Sequence, residues 1–398
     1  MKNFKYTLYL IIDNFKFTFI VGKTFDHNDH KIIFELEVPT SGIKNNRIVD
    51  FEETLNLIKE NLYLIEKKIN FTFKEIVLIL ENFDFSYINI TGFKKLNSSQ
   101  IIRENITYIL NSLKAYIDEI EPKKKIIHIF NSKFKLDNKI IENLPIGLFG
   151  DFYSHELSFV LINKNNYKNF KNIFDKCNLK IKKTLIKNFV TGAYVSEKYK
   201  SIDTFFLIKI DKSYSNIFYF ENNSLKFEQN FTFGTDIVLS DISKVTSLDI
   251  NIIEDILSRN ELKKNIKEDE IIERFFFDDS NYRKIKKKLI YDVAYARILE
   301  IAELILFKNI NFMFSKKISK TVFLNINDDA GLIGLKNIYE TVFSKNNILD
   351  IEFLSNHSSN DLIKTANTLV HFGWKREAIP IAHKKKSFLA KFFDVLFG

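Results

Sequence analysis

One cysteine, Cys177, stands in 398 residues, alongside four prolines, eleven glycines, two methionines and one tryptophan. A single thiol closes no internal disulfide and builds no cysteine-based zinc cluster, which points to a reducing, cytoplasmic-type compartment. Cys177 itself reads as a small packed residue rather than a reactive one. Glycine and proline fall well below their average usage of about 7% and 5%, which disfavours glycine-rich phosphate loops, proline-rich linkers and collagen-like repeats. No run of about 20 apolar residues occurs, so a helix long enough to span a membrane is excluded. The apolar stretch Leu8 to Ile12 stops at Asp13, too short for a signal-peptide core, so no secretion signal is expected. A surface-bound membrane protein is compatible with all of these absences.

Phenylalanine is abundant, at 41 residues, and Ile, Asn and Lys are in similar excess. That bias is what A- and T-rich codons would produce, so clusters of Lys and Asn carry reduced weight. The balance of 45% hydrophobic and 27% charged residues is globular and excludes disorder over most of the chain. Lys and Arg exceed Asp and Glu by 59 to 50, a modest net charge of +9. The length exceeds what one hydrophobic core usually serves, so two or more subdomains are expected.

Along the chain, Tyr6 to Val21 and Ile32 to Val38 read as the two arms of a hairpin with a polar tip, Asp26-His27-Asn28-Asp29-His30. Leu55, Ile58, Leu62 and Ile65 give a helix face, followed by a strand from Glu75 to Leu80. Ser98 or Ser99 is placed to cap a helix whose apolar face runs Ile102, Ile106, Ile109, Leu113 and Tyr116. Strands are expected at Lys125–Phe130, Leu157–Asn163 and Leu179–Lys182, with a helix from Tyr167 to Cys177. Thr204–Ile210, Ile217–Glu221 and Leu225–Phe231 predict a meander. Asp249 to Glu273 reads as a charged helix and Tyr282 to Leu306 as a long amphipathic one. Lys320–Ile326 is a strand before Ala330-Gly331-Leu332-Ile333-Gly334, and Ile338, Val342 and Phe343 continue a helix. This mixture fits two α/β lobes rather than a helical bundle.

Four strings in this order resemble the bacterial cell-division FtsA family of the actin-like ATPase superfamily. Ser41-Gly42-Ile43-Lys44-Asn45-Asn46-Arg47-Ile48-Val49-Asp50 is similar to that family's turn before its first helix, and Asn143 to Gly150 (NLPIGLFG) to its "NPIGxxG" segment. Phe233 to Ile242 (FGTDIVLSDI) resembles "GGxxxTxDIA", and Ala296 to Ile301 (ARILEI) resembles "ARxxEI". The resemblance covers nearly the whole chain. It implies an α/β, actin-like two-lobed fold with ribonuclease-H-like halves, a small α/β subdomain inserted in the first lobe, and a C-terminal amphipathic helix. The implied spans are 1–88 and 164–200 for the first lobe, 89–163 for the insertion, 201–235 and 310–355 for the second lobe, and 236–309 for its smaller subdomain, the expected docking region for the FtsZ C-terminal peptide. Residues 356–376 would close the first lobe, 377–386 form a linker and 387–398 the helix.

The chain departs from the family at its phosphate hairpins. The first, "DIGSSK" in the family, laid along Tyr9 to Val21, puts Ile11 at the aspartate and Asp13 at the glycine position, and only Lys16 matches. The second, "DIGGGTT", reads Lys209-Ile210-Asp211-Lys212-Ser213-Tyr214-Ser215. Glycine at such turns lets backbone N–H groups reach a phosphate without a Cβ in the way. The adenosine-side loop, "TGGGAxLxG", here runs Leu324 to Gly334 with Asp328 and Asp329 in place of the first glycines. The residues implied for a degenerate nucleotide site are Lys16, Ser215, Gly234, Gly331 and Gly334. ATP with magnesium is therefore disfavoured as a cofactor, hydrolysis is not expected, and no other cofactor or metal site is indicated.

The last fifteen residues carry a signal independent of resemblance. Phe388, Leu389, Phe392, Phe393, Val395, Leu396 and Phe397 fall on one broad helical face, with Lys391 and Asp394 opposite and Ser387 placed as a cap. Lys384, Lys385 and Lys386 precede it, each favourable near an anionic surface. The segment predicts a hook on anionic membrane lipid, the alternative being a terminal helix packed on its own domain. Arg376 to His383, with Pro380, reads as a linker.

The expected function is an adaptor tethering FtsZ polymers to the cytoplasmic face of the bacterial membrane at the division site, with self-association and other division proteins as further partners. The alternatives are a functional actin-like ATPase and a pilus-assembly adaptor. Lys263, Lys264, Lys267, Arg283, Lys284 and Lys286–Lys288 read as solvated helix faces, and no nucleic-acid motif accompanies them. His27, Asp29 and His30 read as a hairpin tip rather than a metal site, and Ser154-His155-Glu156 as neighbours rather than a triad. Asp211 and Asp241 read as turn and capping residues.

Overall fold

The first expected arm is broken in two by a turn that contains neither glycine nor proline. Between β1 (Lys5–Ile12) and β2 (Lys16–Asp26), the Asp13 carboxylate accepts the backbone N–H groups of Phe15 and Lys16 at 2.6 and 2.7 Å. The run Tyr6 to Val21 is thus a hairpin by itself, closed by a side chain that the apolar pattern on either side conceals. β3 (Asp29–Pro39) follows. The protein's structure is a computed structural model describing residues 4–26, 29–259, 262, 265–277, 282–315, 319–326, 333–345, 349–354 and 359–378.

A small ribbon, β4 (Ile43–Lys44) and β5 (Arg47–Ile48), turns through Asn45 and Asn46, both at positive φ. Gly42, at φ 73°, precedes it; a Cβ there would run into Thr54 Oγ1 and the Asp50 carbonyl. α1 (Phe51–Ile69) is capped by Asp50, which accepts from Glu53 N–H at 2.9 Å, and it buries the expected Leu55, Ile58, Leu62 and Ile65. β6 (Glu75–Leu80) pairs in parallel with β1.

Next come β7 (Phe85–Gln100), α2 (Arg103–Ile120), β8 (Lys124–Leu136), β9 (Lys139–Ile141) and β10 (Phe149–Asn163). They form their own sheet, in the order β7-β10-β8-β9, starting at Phe85 where the implied insertion began at 89. Neither Ser98 nor Ser99 caps α2. Both lie at the end of β7, Ser99 donating to Leu96 O and Ser98 to Asp151, while Asn105 accepts the Ile102 N–H in their stead. α2 buries Ile109, Leu110, Leu113 and Ile117 against Leu157, Phe159 and Phe134, and leaves Tyr116 exposed. α3 (Lys164–Lys176) and β11 (Lys180–Ile186) complete the five-stranded sheet β11-β6-β1-β2-β3.

α4 (Lys187–Lys198) leads into β12 (Phe205–Ile210), β13 (Ser215–Glu221) and β14 (Ser224–Phe231), the expected meander. α5 (Asp236–Thr246) and α6 (Ile250–Arg259) follow; α6 ends at Arg259, and Ile271 instead forms a β-bridge to Lys286, so the helix expected through Glu273 is shorter. α7 (Lys287–Ala302) starts five residues later than Tyr282 and winds into a π-turn at Glu303–Phe307. After α8 (Ile310–Ser315) come β15 (Thr321–Ile326), α9 (Ile333–Phe343), β16 (Asp350–Leu354) and α10 (Ser359–His371). The third sheet reads β14-β13-β12-β15-β16. Its core joins Phe206, Ile208 and Leu324 to apolar faces of α5, α6, α7 and α9. The chain divides into two compact units. One holds Tyr6–Val21, Phe34–Leu185 and the chain from Thr368; the other holds Met1–Lys5, Gly22–Ile33 and Ile186–Asn367.

In the β7–β10 sheet, alternation puts His155 on the core face and its neighbours Ser154 and Glu156 on the other, so the three assemble no triad. The His155 ring lies 4.8 Å from Phe134, and its Nε2 donates to Asn131 Oδ1 at 2.9 Å. Burial pushes its pKa down from 6.5 to about 4. Between these values the unfolded chain takes up the proton first. The stability that neutral His155 contributes is full above about pH 6.5 and is lost as pH falls towards 4, by up to roughly 3 kcal/mol. Urea unfolding at pH 7 and 4.5 should show this loss, and an NMR titration in which the His155 ring protonates near pH 6.5 would contradict it.

Candidate nucleotide turns

Lys16, the one matching residue of the first phosphate hairpin, opens β2 and is committed to an ion pair with Glu37 of β3, Nζ to Oε1 at 2.6 Å. The hydrogen bond to Glu37 raises its pKa, with Asp13 and Glu81 adding to the negative field. Thr18 Oγ1 also donates to Glu37, at 3.3 Å. The amides of Phe15 and Lys16 point at the nearly buried Asp13 carboxylate. Asn14 is tied to the β4–β5 turn, accepting the Asn46 N–H at 2.8 Å. The turn is an anion cradle filled by its own side chain, with the Phe15 ring exposed beside it. Sequence reasoning did not single out Glu37. The signal available for Asp13 was its position two residues before an amide that an Asx turn can take.

The second hairpin turn, Asp211 to Tyr214, joins β12 to β13. Asp211 N–H donates to Tyr214 O at 2.9 Å, and the Asp211 carboxylate meets Lys209 Nζ at 3.1 Å. The turn's carbonyls face the start of α5: Thr235 N–H donates to Asp211 O at 2.9 Å and Asp236 N–H to Lys212 O at 2.8 Å. Gly234 permits this approach, because a Cβ there would run into both carbonyl oxygens. Ser215, fully buried, donates to Phe233 O at 2.8 Å. Ser215 and Gly234 are thus brought together, and the amides at the helix start are used in closing the turn.

Gly334 is buried in the first turn of α9, after Leu324, Asn325 and Ile326 on β15. Asp328, Asp329 and Gly331 lie outside the described residues, as do Lys384, Lys385, Lys386, Phe388, Leu389, Phe392, Phe393, Leu396 and Phe397. So do His27, Lys263 and Lys264. His30 is buried beside Thr24, 3.0 Å from its hydroxyl, and burial lowers its pKa. Asp241 pairs with Arg297 of α7 at 2.5 Å, and Lys288 with Glu268 at 2.9 Å; Lys287 pairs with Glu273. Among the described residues no cluster of three or more His, Cys, Asp or Glu side chains is arranged to hold a metal. Removing the Asp13 acceptor leaves two turn amides without it. Asp13→Ala should cost about 1 to 3 kcal/mol, read from the urea midpoint. Gly234→Ala should cost at least as much, because backbone must shift.

No family model matches the chain. Three curated proteins, each named cell division protein FtsA and each from a Buchnera aphidicola subspecies, are similar to it. The one from Schizaphis graminum is 22% identical over 242 residues, 61% of this chain and 57% of its own length. The one from Acyrthosiphon pisum is 21% identical and aligns with 100% of this chain and 96% of its own; the one from Baizongia pistaciae is 22% identical over 92% and 90%. Among solved structures, a chain of a PilM–PilN type IV pilus biogenesis complex superposes with a TM-score of 0.55 at 11% identity, covering 92% of this chain and 98% of that one. MreB5 of Spiroplasma citri bound to ADP reaches 0.46 at 10% identity, covering 91% and 96%. Similar to two of these FtsA proteins along 92% and 100% of its length and sharing its fold with the chain of the PilM–PilN complex, the chain is a divergent FtsA-like protein with the actin-like α/β fold.

Proposed function

We propose that the chain works in cell division as a non-enzymatic adaptor, tethering FtsZ polymers to the cytoplasmic membrane at the division site through its C-terminal segment. The alignment with FtsA proteins along 92% to 100% of the chain carries this reading. The amphipathic, lysine-led pattern of residues 384–398 supports the membrane half of it. Phe392 and Phe393 are the intended lipid anchors, and residues 236–309 are the intended face for the FtsZ C-terminal peptide. Weak contacts at the two ends multiply when many copies line one filament.

ATP has no part in this proposal, and the residues of the first hairpin do not fit a triphosphate. The Asp13 carboxylate sits where phosphate oxygens would accept amides, and Glu37 neutralises Lys16. A polyanion brought to that turn meets fixed negative charge instead of donors. Titration calorimetry with magnesium and ATP should therefore give no stoichiometric heat; a one-to-one isotherm would move the reading to a working actin-like ATPase. A pilus-type adaptor is the second reading, supported by the PilM–PilN likeness in fold.

Vesicle flotation with polymerised FtsZ from the same organism separates these readings. FtsZ should float with the full chain and stay below with a chain ending at Ala382 or with F392D/F393D. A full chain that floats alone, leaving FtsZ behind, would favour the pilus-type partner, and no flotation would return residues 387–398 to the protein's own core.

A further inference from the structure

The last described residues of the chain form a clamp on the inserted sheet. On the edge of β8 not taken by β10, Glu377 makes an antiparallel bridge with Phe130, Asn131 N–H donates to Arg376 O at 2.6 Å, and Ala378 N–H donates to Ile129 O at 2.7 Å. The Glu377 carboxylate, nearly buried, accepts from Lys183 Nζ at 2.6 Å and from His128 Nδ1 at 3.3 Å. Arg376 lies over the Phe134 ring and donates to Glu142 O at 3.1 Å, and Ala378 joins the α2 core. A buried carboxylate with two cationic or N–H partners is costly to pull out, because its partners would be left uncompensated. The strand runs from the level of Asn131 to that of Ile129, so at Ala378 the chain is heading for the start of β8.

That end of the subdomain carries Lys123 and Lys125, and the adjoining start of α3 carries Lys164 and Lys168, all exposed. Lys164 N–H donates to Lys123 O at 2.8 Å, which brings the two segments together. Lys124 pairs with Glu121 at 3.0 Å, and the exposed Asp118 and Glu119 at the end of α2, with the exposed Asp84 just before β7, offset part of the charge, leaving a small excess of lysine. Between Ala378 and the start of the amphipathic segment lie residues 379–386, which span at most about 28 Å whatever their conformation. Unclamped from Phe372 onward, the same tether would reach about 50 Å.

Resting on the lipid-hook reading of the tail, we propose that Lys123 and Lys125 at the end of the inserted subdomain, with Lys164 at the adjoining start of α3, form a second, electrostatic contact with an anionic lipid surface. The Glu377 clamp holds it there by fixing where the tail leaves the sheet. The lysines gain attraction from a surface that the hook keeps within reach, and the hook gains an orientation.

The test uses the full chain and vesicles of 30% phosphatidylglycerol in phosphatidylcholine at low salt. Lys123→Gln/Lys125→Gln/Lys164→Gln should lower the floated partition about a hundredfold, at about fivefold per lysine near such a surface, and should have no effect on pure phosphatidylcholine. Glu377→Gln should speed exchange of the Asn131 and Ala378 amides at least tenfold while the Phe159 amide stays protected, and should lower the anionic partition in parallel. A triple variant that floats like the unmodified chain overturns the surface while leaving the hook. An unmodified chain that does not float removes the hook reading, and the surface with it. Unchanged exchange in Glu377→Gln overturns the clamp.

Discussion

Closing tight turns with almost no glycine is the constraint on which the rest of this structure depends. Eleven glycines cannot serve every turn among the sixteen strands and ten helices of the described residues, so other residues take the left-handed backbone. Nine of the twelve non-glycine residues found at positive φ among the described residues are asparagine. Asn45 and Asn46 turn the β4–β5 ribbon, Asn70 ends α1, and Asn222 and Asn223 turn β13 into β14. Asparagine tolerates that region because its short side chain bonds locally. Glycine is kept where backbone meets backbone, as at Gly42 and Gly234, and no side chain can substitute there.

The same constraint shapes the two hairpins at which the sequence was compared with the family's phosphate loops. At the first turn, which has no glycine, the Asp13 carboxylate holds two of the amides. That solution stabilises the hairpin and sets a negative charge against its amides. At the second turn the amides at the start of α5 are satisfied by turn carbonyls. At both turns these amides already have partners within the chain.

Much of the architecture was legible because apolar periodicity is a direct record of burial. The face of α1, the β12–β13–β14 meander and the α/β alternation all follow from it. The misreadings share one cause. The Asp13 turn, the start of α2 after Ser98 and Ser99, and the Ile271–Lys286 bridge in a stretch expected to be helical are set by side-chain hydrogen bonds and long-range pairing, which periodicity does not register. Of the candidate site residues, Ser215 and Gly234 do lie together, and Lys16 proved to be defined by Glu37, twenty-one residues away.

The sequence by itself determined the α/β class, the resemblance to an actin-like family and the amphipathic pattern of the tail, since each is written in local spacing and residue type. Only the tertiary structure decided which charges neutralise one another and where the tail departs. Glu377 meets Lys183 and His128 across 194 and 249 residues of chain, and no local pattern encodes such a meeting. The energy of a buried charge depends on what the fold brings beside it, and that is fixed only when the sheets have formed.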